Sequence, residues 1–327
     1  MGRLFVGVEI GGTKTQVALG NDQGEILHLV QEKVVLAEGA AGILRWVGGQ
    51  LEDLVRRAQG LGGRVAGICV GFGGFIESST GRILTSVQVE GWKDMMLKQW
   101  FEDRFGLPTI ILNDTVAGGY GEYHLGSGRG VRQFFYTNIG SGIGGVFVLN
   151  GQCFDGQGYG AAYFGHTYLP DWTAAVPGVP RKVEDLCSGW AIERRLRSPG
   201  YVPRESALMA SCGGDVGRIT CQALGAAATA GDAFALAEID RIAHSFSIGL
   251  ANVLTLVSAE RVSIGGGVGK LGEILLAPIR RYTDEYVLIT NKGRYDIVSC
   301  VFGDAAVLVG AVLYAAHQLA PGSSSRS

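Results

Sequence analysis

The sequence predicts an α/β protein with two lobes, each built around a mixed β-sheet. Apolar runs of strand length alternate with longer segments of helical period, and this alternation is typical of layered α/β folds. The pattern starts again near residue 133, which indicates a second unit of the same kind. Both units begin with an apolar strand that runs directly into a glycine-rich turn. We therefore expect two α/β halves around a cleft.

The elements of the first half follow from apolar spacing and turn residues. Residues 4–35 predict three strands, because turns at Gly11-Gly12 and Asn21-Asp22 separate three apolar runs. Apolar side chains recur at helical spacing over residues 40–59. The remaining elements are a strand at 65–71, a helix at 94–105 and a strand at 108–112.

The second half is predicted to be richer in helix. Two strands at 133–138 and 145–150 flank a glycine-rich turn, and a glycine- and proline-rich irregular segment follows at 156–180. Helical periods then cover 182–197, 214–230, 232–258, 271–286 and 304–319, with short strands at 262–264 and 296–301. We expect a small α/β domain of residues 1–115 plus about 304–320, a large α/β domain of residues 116–303, and a flexible tail at 321–327.

Composition excludes several classes of protein. The chain has 327 residues, 47% of them hydrophobic and 18% charged, which suits a well-packed globular protein. A net charge of −2 gives no bulk attraction to nucleic acid or to an anionic membrane. Six cysteines without a CxxC pair indicate reduced thiols, and no apolar run approaches the length of a membrane span. We therefore expect a cytoplasmic protein without nucleic-acid or membrane partners.

The first glycine turn combines groups that suit a nucleotide phosphate. Glycines allow backbone N–H groups to approach a phosphate, and Thr13 and Lys14 add a hydroxyl and a cation. Glu9, at the strand end, is placed to hold Mg²⁺ through water, since Mg²⁺ keeps most of its hydration. An ordinary hairpin with a Gly-Gly turn fits the same residues.

Two further glycine clusters each follow an apolar strand. They are Gly140-Ser141-Gly142, within GSGIGG, and Gly265-Gly266-Gly267, within GGGVG. Three such turns meeting around one ligand would cradle a nucleoside triphosphate. With the first turn, they resemble the two phosphate motifs and the adenosine motif of the actin-like ATPase superfamily.

Asn113-Asp114 stands at the end of a predicted strand. A carboxylate there could accept the proton of a sugar hydroxyl as its oxygen attacks the γ-phosphate. Asp114 before Thr115-Val116 is equally suited to cap a helix. The two roles are compatible.

Nearly the whole chain resembles the ROK family of bacterial sugar kinases and sugar-responsive repressors. The segments that carry the resemblance are VEIGGTK at 8–14, GFIESSTG at 74–81, Gly91-Trp92, the run 112–130 that begins LNDTVAGG, GQGYGAAYFGH at 156–166 and EDLCSGWAIERRL at 184–196. The family implies the two-lobed actin-like (ribonuclease H-like) fold and an ATP-dependent kinase acting on a hexose or hexosamine.

The resemblance also implies roles for particular residues. Asp114 would be the catalytic base, and Asn113, His166 and Glu184 would face the sugar. Gly74 and Gln88 lie in further segments of the same site. MgATP would bind at the three glycine turns, and the family often forms homodimers.

Three departures from the family pattern bear on the substrate. Tyr163 stands where the family usually has a sugar-binding glutamate, and a phenol cannot replace a carboxylate as a double acceptor. The family's zinc cysteines correspond to Ala175, Pro177 and Lys182 here. Only His166 of the usual ligands remains, so we expect no zinc site. Gln88 replaces an asparagine.

Two functions of different class therefore stay open. The first is a sugar kinase, with glucose as the default substrate and an N-acetylhexosamine, fructose or another polyol as alternatives. The second is a sugar-binding regulatory protein without turnover. The family's repressors carry a DNA-binding segment before the first strand, and because the strand here starts at Leu4 we expect no such role.

Overall fold

The computed structural model describes residues 2–86, 88–171, 174 and 176–319. These residues fold into two compact units. Unit 1 is drawn from Met1–Arg129, Val146–Ala161 and Asp304–Ser327, and unit 2 from Gly130–Gly145 and Ala162–Gly303. These units differ in extent from the predicted domains, whose limits stay a prediction. The predicted tail at 321–327 lies outside the described residues.

The main sheet of unit 1 begins with the three-stranded meander predicted from the sequence. Its five strands are β1 (Arg3–Ile10), β2 (Lys14–Asn21), β3 (Ile26–Lys33), β4 (Arg64–Phe72) and β8 (Thr109–Asn113). Their spatial order is β3-β2-β1-β4-β8. β1, β2 and β3 pair antiparallel, whereas β4 pairs parallel with both β1 and β8, so the sheet is mixed.

Helices cover this sheet because their apolar stripes match its faces. α1 (Gly39–Gly60) buries one stripe that includes Ile43, Val47, Leu51 and Leu54, as its helical period predicted. The other helices of unit 1 are α2 (Leu97–Phe105), α3 (Asp114–Leu125) and α11 (Ala306–Gln318). A small sheet is formed by β5 (Phe75–Glu77), β6 (Arg82–Thr85) and β7 (Met95–Met96).

The contact between α3 and α11 is unusually close because both helices carry glycine there. A Cβ on Gly310 would collide with the carbonyl of Ala117, and one on Gly121 would lie 2.8 Å from the backbone nitrogen of Gly310. Since α3 begins at Asp114, this crossing fixes the strand-to-helix junction that carries the predicted base.

The second sheet repeats the strand order of the first. Its strands are β9 (Gln133–Ile139), β10 (Ile143–Leu149), β11 (Gln152–Cys153), β14 (Arg261–Gly265) and β15 (Asp296–Ser299). Their order is β11-β10-β9-β14-β15, with β14 parallel to β9 and β15. When the five strands of each sheet are counted in chain order, their spatial order is 3-2-1-4-5 in both sheets. This confirms the predicted restart of the pattern.

The helical part of unit 2 differs from the prediction in its breaks. Its helices are α4 (Val183–Cys187), α5 (Gly189–Leu196), α6 (Ala207–Ser211), α7 (Cys221–Thr229), α8 (Ala233–Val257), α9 (Gly266–Gly269) and α10 (Glu273–Tyr286). The single helix predicted at 182–197 is wrong: Ser188 is extended and caps α5 by accepting from the Ala191 N–H. The helix predicted at 214–230 begins only at Cys221, because Thr220 caps it.

Two remaining features complete the fold. The segment predicted to be irregular contains an antiparallel pair, β12 (Tyr168–Asp171) and β13 (Val179–Lys182). Single 3₁₀ turns lie at Leu36–Glu38, Phe164–His166, Val216–Arg218, Ile289–Asn291 and Gly303–Ala305. Within the described part of the chain, no helix has both the length and the hydropathy to cross a membrane.

Candidate active site

The β1–β2 hairpin places a buried carboxylate beside two polar side chains. Glu9 and Gln16 are opposite each other in the antiparallel pair, and Gln16 Nε2 donates to Glu9 Oε2 at 2.6 Å. Lys14 Nζ lies 3.6 Å from the same oxygen and also donates to the backbone carbonyl of Asp304 at 3.4 Å. The turn itself is closed by the Gly11 N–H, which donates to the Lys14 carbonyl at 3.1 Å.

Burial shapes the charge of Glu9. The residue is 8% exposed, and this burial raises its pKa to about 7 against the lowering effects of Lys14 and Gln16. The negative charge of Asp114 raises the pKa further. A cation bound beside Glu9 would favour its ionised form, since an opposite charge stabilises a carboxylate.

The donor set fits magnesium better than zinc. Mg²⁺ in phosphate-transfer sites needs only one or two carboxylates, because waters and substrate phosphates supply its other ligands. Glu9 can serve in this way. Among residues 2–86, 88–171, 174 and 176–319, no cluster of three or more His, Cys, Asp or Glu side chains could hold a metal ion. Of the positions matched to the family's zinc cysteines, Ala175 lies outside the described residues.

The β8–α3 junction presents Asp114 at the first position of a helix. Asn113, and not Asp114, is the helix cap: its backbone is extended and its Oδ1 accepts from the Thr115 N–H at 3.0 Å. Asn113 Nδ2 also donates to the Gly74 carbonyl at 3.1 Å. Asp114 is the first residue of the helix, so the capping position that its sequence context allowed belongs to Asn113.

The Asp114 carboxyl is half-buried and asymmetrically bonded. Its Oδ1 accepts from the backbone N–H of Thr115 at 2.7 Å and from the Thr115 hydroxyl at 3.3 Å. Its Oδ2 would lie 3.3 Å from a Cβ on Gly73, so only glycine leaves this oxygen uncrowded. Burial raises the pKa of Asp114 to about 6, although the bonds from Thr115 lower it. A carboxylate of this basicity is well suited to general base catalysis near neutral pH.

Gln88 lies against the glycine turn. A Cβ on Gly12 would overlap the Gln88 side chain, so the absence of a side chain at Gly12 is required for this contact. The neighbouring Val87 lies outside the described residues. Unit 1 thus brings together most of its predicted site residues. They form two neighbouring groups, one around Glu9 and one around Asp114.

The two glycine turns of unit 2 touch each other. Gly266 has φ +82°, and a Cβ there would meet the carbonyl of Ile139 and, at 2.8 Å, the backbone nitrogen of Gly140. The turn at 140–142 is closed by the Gly140 N–H, which donates to the Gly142 carbonyl at 2.9 Å. The Gly189 N–H, at the start of α5, donates to the Gly140 carbonyl at 2.7 Å. A Cβ on Gly267 would meet nothing within 4 Å, so its surroundings are open.

A polar cluster adjoins the first of these turns. His166 Nε2 lies 3.3 Å from Glu184 Oε1, and Lys182 Nζ lies 4.0 Å from the same oxygen. The second Glu184 oxygen would lie 3.5 Å from a Cβ on Gly142. Tyr163 packs edge-on to His166, with ring centroids 6.2 Å apart. The predicted sugar residues and the predicted phosphate turn of unit 2 are therefore neighbours.

Several contributors were missed by sequence reasoning. Gln16 lies opposite Glu9 because of the hairpin register, in which Ile10 pairs with Thr15. A turn centred on Gly11-Gly12, as expected from the sequence, would have placed Lys14 opposite Glu9 instead. Lys182, two residues before Glu184, had a local signal. The carbonyl of Asp304 had none, because it reaches Lys14 across 290 residues of sequence.

Known proteins resemble this chain over most of its length. The ROK family model matches residues 5–318. A glucokinase of Halalkalibacterium halodurans is 31% identical over 310 residues, covering 94% of this chain and 93% of that protein. A putative xylose repressor of a Caldicellulosiruptor species is 27% identical and covers 94% of this chain, but only 77% of the repressor's length is matched.

A solved structure agrees with the fold. The crystal structure of a ROK family glucokinase from Streptomyces griseus, in complex with glucose and AMPPNP, gives a TM-score of 0.81 at 27% identity. The match covers 94% of this chain and 98% of that one. The predicted two-domain actin-like fold is thereby confirmed.

Proposed function

Since this chain belongs to the ROK family, we propose that it transfers the γ-phosphoryl group of ATP to a hexose, most simply to O6 of glucose. The reaction class is that of an ATP-dependent sugar kinase, as the chain's glucokinase relatives indicate. The observation that supports phosphoryl transfer to a sugar hydroxyl is the state of Asp114. It is a half-buried carboxylate with a pKa of about 6 at a glycine-lined strand end.

The proposed reaction needs a base and charge neutralisation. As the sugar oxygen attacks the γ-phosphorus, a new P–O bond forms and the bond to the ADP oxygen breaks. Asp114 accepts the proton of the attacking hydroxyl. Lys14 and the N–H groups of Gly12 and Thr13, in the turn that begins at Gly11, offset phosphate charge. Mg²⁺, when bound through water to Glu9, would neutralise further charge on the phosphates.

The remaining residues are assigned by their surroundings. Gly140, Ser141 and Gly142 would hold phosphate, and the open turn at Gly265, Gly266 and Gly267 would hold the adenosine. Asn113, His166 and Glu184 would bond the sugar, with Gly74 and Gln88 completing its site. The carboxylate oxygens of Glu184 can accept from sugar hydroxyls, and the His166 ring can donate to or accept from one, which suits a polyol.

A coupled assay of ADP release tests the proposal. The panel should contain glucose, mannose, fructose and N-acetylglucosamine, each with MgATP, and the Asp114→Asn variant serves as the blank. We expect sugar-dependent ADP release that is highest with glucose. Release that is independent of every sugar in the panel would contradict the proposal.

A second function is favoured by one residue. Tyr163 occupies the position of a family glutamate, and the chain also resembles a putative xylose repressor. A sugar-binding regulatory protein would bind a hexose without releasing ADP.

For the kinase, we expect action in the cytoplasm as a homodimer, with sugar and ATP as partners and without nucleic acid or membrane.

A further inference from the structure

A separate cleft in unit 1 lies between β2, β3 and the start of α1. Its volume is about 250 Å³, and six of its lining residues are polar or aromatic: Thr15, Glu32, Lys33, Glu38, Arg45 and Trp46. Neither Glu9 nor Asp114 lines it. The size is below that of typical drug-binding pockets and suits a single small ring.

The wall of this cleft contains a buried hydroxyl without a partner. Thr15 is 3% exposed, and its Oγ1 makes no hydrogen bond in the structure. Buried polar groups are nearly always bonded, so the unpaired hydroxyl of a residue that lines a cleft indicates a place for a ligand's polar group. Thr283 in unit 2 has an equally buried and unpaired hydroxyl but does not line this cleft.

The charges around the cleft balance. Glu32 and Glu38 supply acceptors, and Lys33 and Arg45 supply donors, so the formal charge of the lining is zero. Arg45 Nη1 donates to Glu38 Oε2 at 3.1 Å. A charged ligand would meet charges of its own sign here, whereas a neutral molecule with many hydroxyls would find both donors and acceptors.

Trp46 adds an apolar surface. Its side chain is half-buried against the core of unit 1 and lines the cleft beside the charged groups. An aromatic wall with nearby carboxylates and cations suits a ring that has an apolar face and a polar edge. We propose that this cleft is a second saccharide site, which binds a neutral monosaccharide apart from the catalytic residues.

The site is linked to the phosphate hairpin by the backbone. Thr15 directly follows Lys14 on β2, and the N–H of Val34, which lines the cleft, donates to the carbonyl of Thr13 at 3.0 Å. A bound sugar that orders this wall is therefore expected to change the KM for ATP. This coupling rests on the proposed kinase function, whereas binding itself does not.

Isothermal titration calorimetry tests the binding. Glucose, mannose, N-acetylglucosamine and xylose are the probes, and the intact chain is compared with Thr15→Val, Thr283→Val and His166→Ala. At least one sugar should give two binding steps in the parent protein. Thr15→Val should weaken one step at least tenfold, His166→Ala should weaken the other, and Thr283→Val should leave both unchanged.

A second variant guards against misfolding. If Thr15→Val does not fold, Trp46→Leu removes the aromatic wall and should weaken the same step. The proposal is overturned if no sugar shows a binding step that Thr15→Val or Trp46→Leu weakens. It is also overturned if Thr15→Val and Thr283→Val change the affinities of the binding steps equally. ADP release with a single, Thr15-independent step would refute this site alone. A Thr15-dependent step without ADP release from any sugar would refute only the kinase proposal.

Discussion

The candidate-site carboxylates of the two units differ in how far they are withdrawn from water. The side chain of Glu9 in unit 1 is 10% exposed, and burial raises the pKa of both Glu9 and Asp114. The side chain of Glu184 in unit 2 is 26% exposed and has His166 and Lys182 as neighbours. Burial that raises a carboxyl pKa toward neutrality suits proton transfer, whereas a solvated, partnered carboxylate suits hydrogen bonding to a ligand.

This comparison predicts its largest effect at Asp114. Asp114→Asn keeps the shape of the side chain but cannot accept a proton, so we expect kcat to fall by about 10²–10⁴-fold while ATP still binds. Steady-state ADP release and a fluorescent-nucleotide binding assay measure the two quantities. Asp94→Asn, an exposed change, is the matched control and should leave both near the parent values. An Asp114→Asn enzyme with parental kcat would remove Asp114 as the base.

The second prediction concerns pH. Because only the ionised Asp114 accepts a proton, kcat/KM should fall about tenfold per pH unit below its pKa of about 6 and level off above neutrality. Glu9, with a pKa of about 7, should contribute a second loss nearby. In Glu9→Gln the limb near pH 6 should remain. A profile that is flat from pH 5 to 8 would argue against a catalytic carboxyl of raised pKa.

Glu9 should also leave a signature in stability. Its pKa is raised from 4.5 to about 7 on folding, so the ligand-free fold binds this proton more tightly than the unfolded chain. Stability is therefore lost as pH rises from 4.5 to 7, by up to about 3 kcal/mol. Glu9→Gln should remove this part of the pH dependence and be the more stable protein at pH 8. Urea unfolding at pH 5 and pH 8 gives the free energy of unfolding at each pH. The same change in that free energy between the two pH values in both proteins would contradict the prediction.

In unit 2 the expected effect is on binding rather than turnover. Glu184→Gln removes a charged acceptor, and losing such a bond corresponds to a rise of about 10- to 100-fold in the KM for hexose. The kcat should change much less than in Asp114→Asn. Glu193→Gln, on the neighbouring helix α5, is a matched control. If Glu184→Gln lowered kcat as strongly as Asp114→Asn, the division between the two units would fail.

The smallest effect is expected at Tyr163. Tyr163→Glu places a carboxylate beside His166, and we expect the ratio of kcat/KM between glucose and N-acetylglucosamine to shift by up to about tenfold. The same assay with Tyr163→Phe separates the hydroxyl from the ring. An unchanged ratio in both variants would show that Tyr163 does not select the sugar.

Much of this arrangement was open to sequence reasoning. The strand–turn–strand pattern of residues 4–35 and the helical period of residues 40–59 are local, and both elements are confirmed. The break at Ser188 was missed because α4 and α5 together show one helical period. Only the bond from Gly189 to Gly140 in space shows why the chain leaves the helix there.

The sequence by itself determined the chemistry available to this protein. Residue types, glycine turns and apolar periods act over a few positions, so Glu9 and Asp114 could be identified as candidates before any contact was known. Glu184 was identified through the family resemblance. Tertiary structure alone decided the state of these groups. A carboxyl pKa depends on burial and on neighbours distant in the chain, such as Asp114 for Glu9, and the unpaired hydroxyl of Thr15 depends on a cleft formed by three elements.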